Sequence, residues 1–318
     1  MTPQILITRK LPDQVITQAM TRFELTIRED TTPLTEAAAL AALQDYDAVL
    51  PTLGDAFTAD VFTRAHAPRC RMLANFGVGY NHIDVAAARA AGVEVSNTPG
   101  AVTDATADIA LTLILMTARR AGEGERLVRA GLWEGWHPTQ MLGQHVTGKR
   151  LGIVGMGRIG KAIARRAHFG FGMKVTFFNR SQIADPGMPA QQVETLAEVM
   201  AQDIVVIAVP GGPGTRHMID ETALAAMQPN GILVNIARGD IVEESALIEA
   251  LTSRKIAGAG LDVYEFEPKV PDALRALDNV VLLPHLGTAA LEVREAMGLM
   301  AVENLFAFFD GKVPPNRV

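Results

Sequence analysis

Aromatic residues are scarce in this chain, 5% of it, and cysteine is almost missing, with Cys70 alone. A lone thiol excludes an internal disulfide framework and fits a reducing cytoplasm. Between Arg69 and Arg71 it reads as a half-buried residue at the start of a strand, not as a nucleophile. Cysteine and histidine nowhere gather at metal-ligand spacing, so no metal is expected. There is no basic excess either: a formal net charge of −6 offers no attractive field to nucleic acid. Long apolar runs are also lacking. The most hydrophobic, 109–118, is far short of the ~20 residues that span a bilayer and reads as a buried helix. The opening stretch MTPQILITRKLPDQ lacks the apolar core of a signal peptide, so a cytoplasmic protein without membrane contact is expected.

The chain's 318 residues are many for one core and suit two domains, and 48% apolar with 20% charged residues is a globular composition. Up to Gly100, short apolar strands (5–8, 23–28, 48–50, 72–75, 93–96) alternate with helical segments (13–20, 36–43, 59–65, 84–91). Such alternation predicts a parallel sheet covered by helices. Asn97, Thr98, Pro99 and Gly100 form a turn out of that unit. One long helix is expected over 103–130, ending at Gly131. Residues 132–148 carry aromatics, Gly and Pro without a period, as functional or interface segments do. Strands follow at 151–154, 174–178, 204–208, 232–235, 257–261 and 280–283, with the plainest helix at 243–253 and a closing helix at 289–310. Two alternating units joined by two long helices predict a small-molecule site in a cleft.

The sharpest motif lies in 146–181. An apolar strand runs into Gly155, Gly157 and Gly160 in G-x-G-x-x-G spacing, then an Ala- and Arg-rich helix, then a second strand. That order is a dinucleotide-binding unit. The first glycine permits the tight turn, the second lets the backbone approach a pyrophosphate, and the third lets the helix pack on the strand. The helix N-terminus then offers free N–H groups to the phosphates. Where an NAD-specific site places Asp or Glu, this chain has Asn179, Arg180 and Ser181, with Asn179 standing 19 residues after Gly160. A carboxylate would repel a 2′-phosphate, whereas a guanidinium can grip it with two hydrogen bonds. NADPH is therefore expected in preference to NADH.

Three further motifs end strands, where ligands gather in open parallel sheets. NIARGD (235–240) presents Arg238, able to hold a carboxylate. GLDV (260–263) leads into YEFEP (264–268) with Glu267, and PHLG (284–287) carries His285. A carboxylate beside an imidazole stabilises its charged form and fixes its orientation, which suits a general acid. Ketone reduction needs a proton for oxygen and a hydride for carbon, so the pair fits a nicotinamide cofactor. Singly, His285 could cap or pack, Glu267 could be solvated and Arg238 could be a structural ion-pair partner. Together, behind a dinucleotide turn, they read as a site.

On these residues the chain resembles the D-isomer-specific 2-hydroxyacid dehydrogenases, and among them the glyoxylate/hydroxypyruvate reductase branch. The likeness covers nearly the whole chain: NFGVGYNHID (75–84), NTPG, TDATAD (103–108), GMGRIG, NIARGD, GLDVYEFEP and PHLG, in the family's order. It implies an α/β fold of two flavodoxin- or Rossmann-like domains with parallel sheets. A dinucleotide-binding domain (101–287) would be inserted into a discontinuous substrate domain (1–100 with 288–318). It also implies a homodimer. By the same resemblance Arg238, Glu267 and His285 are catalytic, and the Val78 and Gly79 amides bind the substrate carboxylate. Leu53 and Trp136 would wall the substrate, Trp136 from a partner subunit. Cofactor contacts are implied at Thr106, Gly155, Gly157, Arg158, Ile159, Gly160, Asn179, Arg180, Ser181, Val209, Pro210, Thr215, Ala237, Asp262, His285 and Gly287, with Asp262 on the nicotinamide carboxamide.

The function so implied is NADPH-dependent reduction of glyoxylate or hydroxypyruvate, with NADH use possible. One alternative is a reductase of bulkier keto acids of the phenylpyruvate or hydroxyphenylpyruvate type, which residues around Leu53 and Trp136 would decide. Another is a dinucleotide-sensing binding protein of the same fold, disfavoured by the full catalytic set. Glu267, where a formate dehydrogenase would have Gln, argues against that activity. An extra C-terminal regulatory domain, of the kind some phosphoglycerate dehydrogenases carry, is not expected.

Overall fold

The structure, a computed structural model, describes residues 2–318. The chain divides into two compact units, Met1–Val102 with Ala289–Val318, and Thr103–Thr288.

In the first unit β1 (Gln4–Ile7), α1 (Asp13–Met20), β2 (Glu24–Ile27), α2 (Glu36–Asp45), β3 (Ala48–Leu50), α3 (Ala59–Ala65), β4 (Met72–Ala74), α4 (Val85–Ala90) and β5 (Glu94–Ser96) follow in order. The helices start where sequence supplies caps: the side chains of Thr35, Thr58 and Asp84 accept amides of the first turns of α2, α3 and α4. All pairings are parallel in the order β2-β1-β3-β4-β5, a flavodoxin-like sheet whose direction of growth reverses between β1 and β3. Leu6, Val49, Leu73 and Val95 share one core beneath one face of this sheet. Cys70 lies in that core, wholly buried and not half-buried, because Leu43 of α2 and Asp47 just after it accept the amides of Cys70 and Arg71 and draw the strand entry inward. Burial pushes its thiol up to about 12.

The second unit opens with α5 (Thr103–Ala118) and α6 (Ala121–Arg129). The single helix expected over 103–130 is thus two. Arg120 takes the left-handed conformation at φ 53°, and the amide of Gln144 caps Ala118 O at 2.7 Å, ending the first helix. Gly143 allows this, since a Cβ there would overlap the Ala118 carbonyl oxygen. Residues 130–149 then hold no helix or strand.

The unit continues with β6 (Arg150–Val154), α7 (Arg158–Phe171), β7 (Lys174–Phe178), β8 (Ala190–Val193), α8 (Leu196–Met200), β9 (Ile204–Ile207), α9 (Glu221–Ala225), β10 (Ile232–Asn235), α10 (Glu244–Thr252), β11 (Gly258–Leu261), α11 (Asp272–Arg275) and β12 (Val280–Leu282). Finally α12 (Leu291–Phe309) returns to the first unit and packs on β4 and α1. The edge strand β8 and the one-turn helices α8, α9 and α11 were not anticipated from sequence. They are too short for a period to show.

The second sheet is parallel throughout, ordered β12-β11-β10-β9-β6-β7-β8. Along β9, Ile204 and Val206 enter one core while Val205 and Ile207 enter the other. A strand covered on both faces has no polar side, which is why these strands read as continuous apolar runs. The order reverses between β6 and β9, and beyond their carboxyl ends is where such folds bind ligands. Among the described residues no helix is long and apolar enough to cross a membrane.

Candidate active site

At the end of β6 the three glycines meet three different demands. Gly155 stands at φ 101°, and a Cβ on it would lie 2.7 Å from Val209 Cγ1 and 2.8 Å from Val209 N, just past β9. Gly160 touches Gly155 so closely that a Cβ would overlap the Gly155 carbonyl oxygen. Gly157 is different: a Cβ there would meet nothing within 4 Å. Packing does not require glycine at that position, whereas an open approach for a ligand does. Behind it starts α7, 14 residues long, whose first amides have no intrahelical acceptor. Turn, open face and helix N-terminus together fit the pyrophosphate of a dinucleotide.

Asn179, after β7, turns back onto this loop. Its Oδ1 accepts the Met156 amide at 3.2 Å and its Nδ2 donates to Ser181 O and Oγ at 3.0 and 3.1 Å. Arg180 and Arg158 are exposed, and neither has a hydrogen-bond or ion-pair partner among the described residues. Across β9, Thr215 Oγ1 donates to Pro210 O at 2.8 Å, closing the loop that carries Val209 and Pro210.

Arg238, Glu267 and His285 follow β10, β11 and β12, three neighbouring strands. Asn235, the last residue of β10, organises the first turn, its Oδ1 accepting the Ala237 amide at 3.0 Å and its Nδ2 donating to Arg238 O at 2.8 Å. Gly211 leaves room for the Arg238 stem, since a Cβ there would lie 2.7 Å from Arg238 Cγ. The guanidinium gives Nη1 to Ala237 O at 2.7 Å, and its Nε is buried without a partner among the described residues. Burial pushes this group below its ordinary value, against the pull of Glu267 and Asp240. A half-spent, desolvated guanidinium is the arrangement that would take up a carboxylate.

His285 Nδ1 lies 2.8 Å from Glu267 Oε2, and Glu267 Oε1 accepts the Tyr264 amide at 3.0 Å. Burial raises the Glu267 carboxyl, but the hydrogen bond and charge of His285, the Tyr264 amide and Arg238 outweigh it and hold it below the usual carboxylate range. An ionised Glu267 can only accept, so Nδ1 carries a hydrogen and Nε2 is left for other work. His285 sits at φ 56°, a conformation a β-substituted residue seldom adopts, with its amide on Asp262 O at 3.0 Å.

Asp262 is the anchor. Its two oxygens accept the Leu286 and Gly287 amides at 2.6 and 2.8 Å, while Thr106 Oγ1 donates to Gly287 O at 3.1 Å. Burial pushes the Asp262 carboxyl up, opposed by the Leu286 amide, His285 and the Gly287 amide. Asn235, Gly211 and the supporting part of Asp262 escaped sequence reasoning; the only hint was their place at strand ends. A cavity of about 350 Å³ borders Glu267 and His285, walled by Tyr264, Pro268, Val270 and Leu282. A larger one, about 420 Å³, opens at the opposite ends of β10, β11 and β12 and touches none of these residues.

In the first unit, Leu53 follows β3 and is 41% exposed, its carbonyl held by Arg9 Nη1 at 2.9 Å. Val78 and Gly79 follow β4, the neighbouring strand, so all three lie beyond the carboxyl edge of one sheet. Trp136 is 80% exposed within 130–149 and belongs to neither cluster.

The profile of the D-isomer specific 2-hydroxyacid dehydrogenase NAD binding domain matches residues 111–287. A glyoxylate reductase of Thermococcus onnurineus is 44% identical, covering 100% of this chain and 96% of that protein. One from Pyrococcus furiosus is 43% identical with the same coverage. The crystal structure of an NADPH-dependent glyoxylate/hydroxypyruvate reductase from Sinorhizobium meliloti, with NADP and malonate, is similar with a TM-score of 0.88 and 35% identity, over 100% of this chain and 97% of that one. The chain therefore belongs to the D-isomer-specific 2-hydroxyacid dehydrogenases, in their glyoxylate reductase branch, and is an oxidoreductase using a nicotinamide dinucleotide.

Proposed function

We propose that the enzyme reduces glyoxylate or hydroxypyruvate with NADPH, giving glycolate or the D-2-hydroxy acid. The observation that carries this reading is the Glu267–His285 pair beside a buried guanidinium with an unused Nε. The glycine turn, the first amides of α7, Asn179, Ser181 and the loop from Val209 to Thr215 would hold the dinucleotide, with Arg158 and Arg180 supplying charge. Bound there, the reduced nicotinamide supplies the hydride for the keto carbon.

The chain's own residues do the rest. Arg238 takes the substrate carboxylate, and the Val78 and Gly79 amides donate to it, so the keto group is oriented. His285 gives the proton on Nε2 to the keto oxygen as it becomes a hydroxyl, and recovers one from solvent. Glu267 stays ionised, holding the ring by Nδ1 and offsetting the imidazolium charge. Asp262 and Thr106 act through the 285–287 loop as positioning residues, while Leu53, and Trp136 from a partner subunit, bound the substrate's other end. Arg180, which pairs with no carboxylate among the described residues, supports a 2′-phosphate and hence NADPH. Exposed Val128, Leu132, Trp133, Trp136 and Leu142 support assembly with a second copy of the chain. A monomeric mass in sedimentation would overturn that part.

The decisive assay follows NADPH and NADH oxidation in parallel with glyoxylate, hydroxypyruvate, pyruvate and phenylpyruvate. Fast NADPH-linked turnover of the two small acids is expected. Preference for phenylpyruvate would move the enzyme to the bulky-acid class, and tight NADPH binding without turnover of any 2-keto acid would make it a sensor. Arg180→Ala should raise the KM for NADPH about tenfold or more and leave that for NADH nearly unchanged. His285→Gln should lower kcat by about 10²–10⁴ while cofactor affinity holds; an unaltered kcat removes His285 from the role of acid.

A further inference from the structure

The loop after β4 has an unusual hydrogen-bond economy. Its three successive carbonyls, those of Gly77, Val78 and Gly79, are all engaged from inside the fold. Asn75 Nδ2 donates to Gly77 O at 3.0 Å and to Gly79 O at 3.1 Å. Asn97 Nδ2 donates to Val78 O at 2.8 Å, and the Thr98 amide also reaches Gly77 O at 3.0 Å. The asparagines are fixed in turn. His82 Nε2 meets Asn75 Oδ1 at 3.0 Å, Asn97 N donates to Asn316 O at 3.1 Å, and Asn304 Nδ2 donates to Asn97 O at 3.4 Å. Asn75, Asn97 and Asn304 are buried.

In a trans peptide the C=O of one residue and the N–H of the next point in opposite directions. Drawing the carbonyls of Gly77, Val78 and Gly79 inward therefore turns the amides of Val78, Gly79 and Tyr80 outward. None of these three amides donates to any group among the described residues. Three adjacent outward N–H groups make an anion-binding nest.

We propose that Asn75 and Asn97 are positioning residues that build this nest, and that the Tyr80 amide is its third donor. The inference rests on the reading that Val78 and Gly79 bind the substrate carboxylate. It adds what aims those amides and how the enzyme comes to prefer an anionic substrate over a neutral aldehyde. An asparagine serves here because a carboxamide offers two donors to carbonyl oxygens, whereas an Asp carboxylate would repel them.

The test compares glyoxylate with glycolaldehyde, which has a CH₂OH group in place of the carboxylate. Wild-type enzyme should favour glyoxylate strongly in kcat/KM; no preference there would overturn the carboxylate reading itself, whatever the variants do. Given that preference, Asn97→Ala should raise the KM for glyoxylate about tenfold, leave glycolaldehyde turnover and NADPH affinity nearly unchanged, and so shrink the ratio. Tyr80→Pro removes one exposed amide with little risk to the core and should shrink the ratio severalfold. If Asn97→Ala does not fold, Tyr80→Pro and Asn97→Ser carry the same comparison. A wild-type ratio in folded Asn97 and Tyr80 variants overturns the proposal.

Discussion

Gly239 and Tyr264 meet backbone to backbone: a Cβ on Gly239 would overlap the Tyr264 carbonyl carbon and oxygen. The turn that carries Arg238 is thereby pressed against the loop that carries Glu267, close enough for the Glu267 charge to act on the guanidinium. Only a residue without a side chain permits this. Gly239→Ala is expected to cost about 1–3 kcal/mol of stability, seen as a several-degree fall in Tm, and to depress kcat/KM. A variant with wild-type melting and turnover would show that the two turns need not touch.

Glu267 makes a signed prediction about pH. Its carboxyl is held below the ordinary range in the folded chain. A group depressed on folding contributes stability that is complete above its unfolded pKa, about 4.3, and is lost as pH falls through the folded value. The stability difference between wild type and Glu267→Gln, from urea titrations, should change against wild type as pH falls from about 5 to below about 4. A wild-type advantage that grows on acidification would reverse the sign assigned here.

Gly157 and Gly160 should behave differently although they share a motif. Gly160→Ala must displace the Gly155 carbonyl and should destabilise the fold. Gly157→Ala meets no neighbour, so the variant should melt like wild type yet bind dinucleotide at least severalfold more weakly, as read by nucleotide fluorescence. Unchanged dinucleotide affinity would remove the open face of Gly157 from the cofactor site.

Cys70 should be silent. Fully buried, with its thiol raised to about 12, it is expected not to react with a thiol reagent in the native protein and to react at once in denaturant. Native-state reaction at the unfolded rate would mean that this core opens readily.

Much of the candidate site could be proposed from sequence because it lies where strands end. Arg238, Glu267 and His285 each follow an apolar run, and G-x-G-x-x-G follows another, so motif and element could be read together. What escaped was support. Asn235 holding the Arg238 turn, Asp262 holding the 285–287 loop and Asn75 with Asn97 holding three carbonyls are contacts between segments far apart in the chain, or bonds whose purpose shows only in three dimensions. The break at Arg120 was hidden for the same reason. The helical pattern runs on through it, and it is Gln144, 24 residues later, that takes the Ala118 carbonyl.

By itself, then, the sequence determined the α/β class, the dinucleotide turn and the identity of the residues after the strands, because apolar periodicity and glycine spacing are local properties. Tertiary structure alone decided that Nδ1 of His285 faces Glu267 and that, among the described residues, an Arg238 nitrogen is buried without a partner and the amides from Val78 to Tyr80 have no acceptor. Direction and desolvation of a polar group depend on what the rest of the fold packs around it, and no spacing along a chain records that.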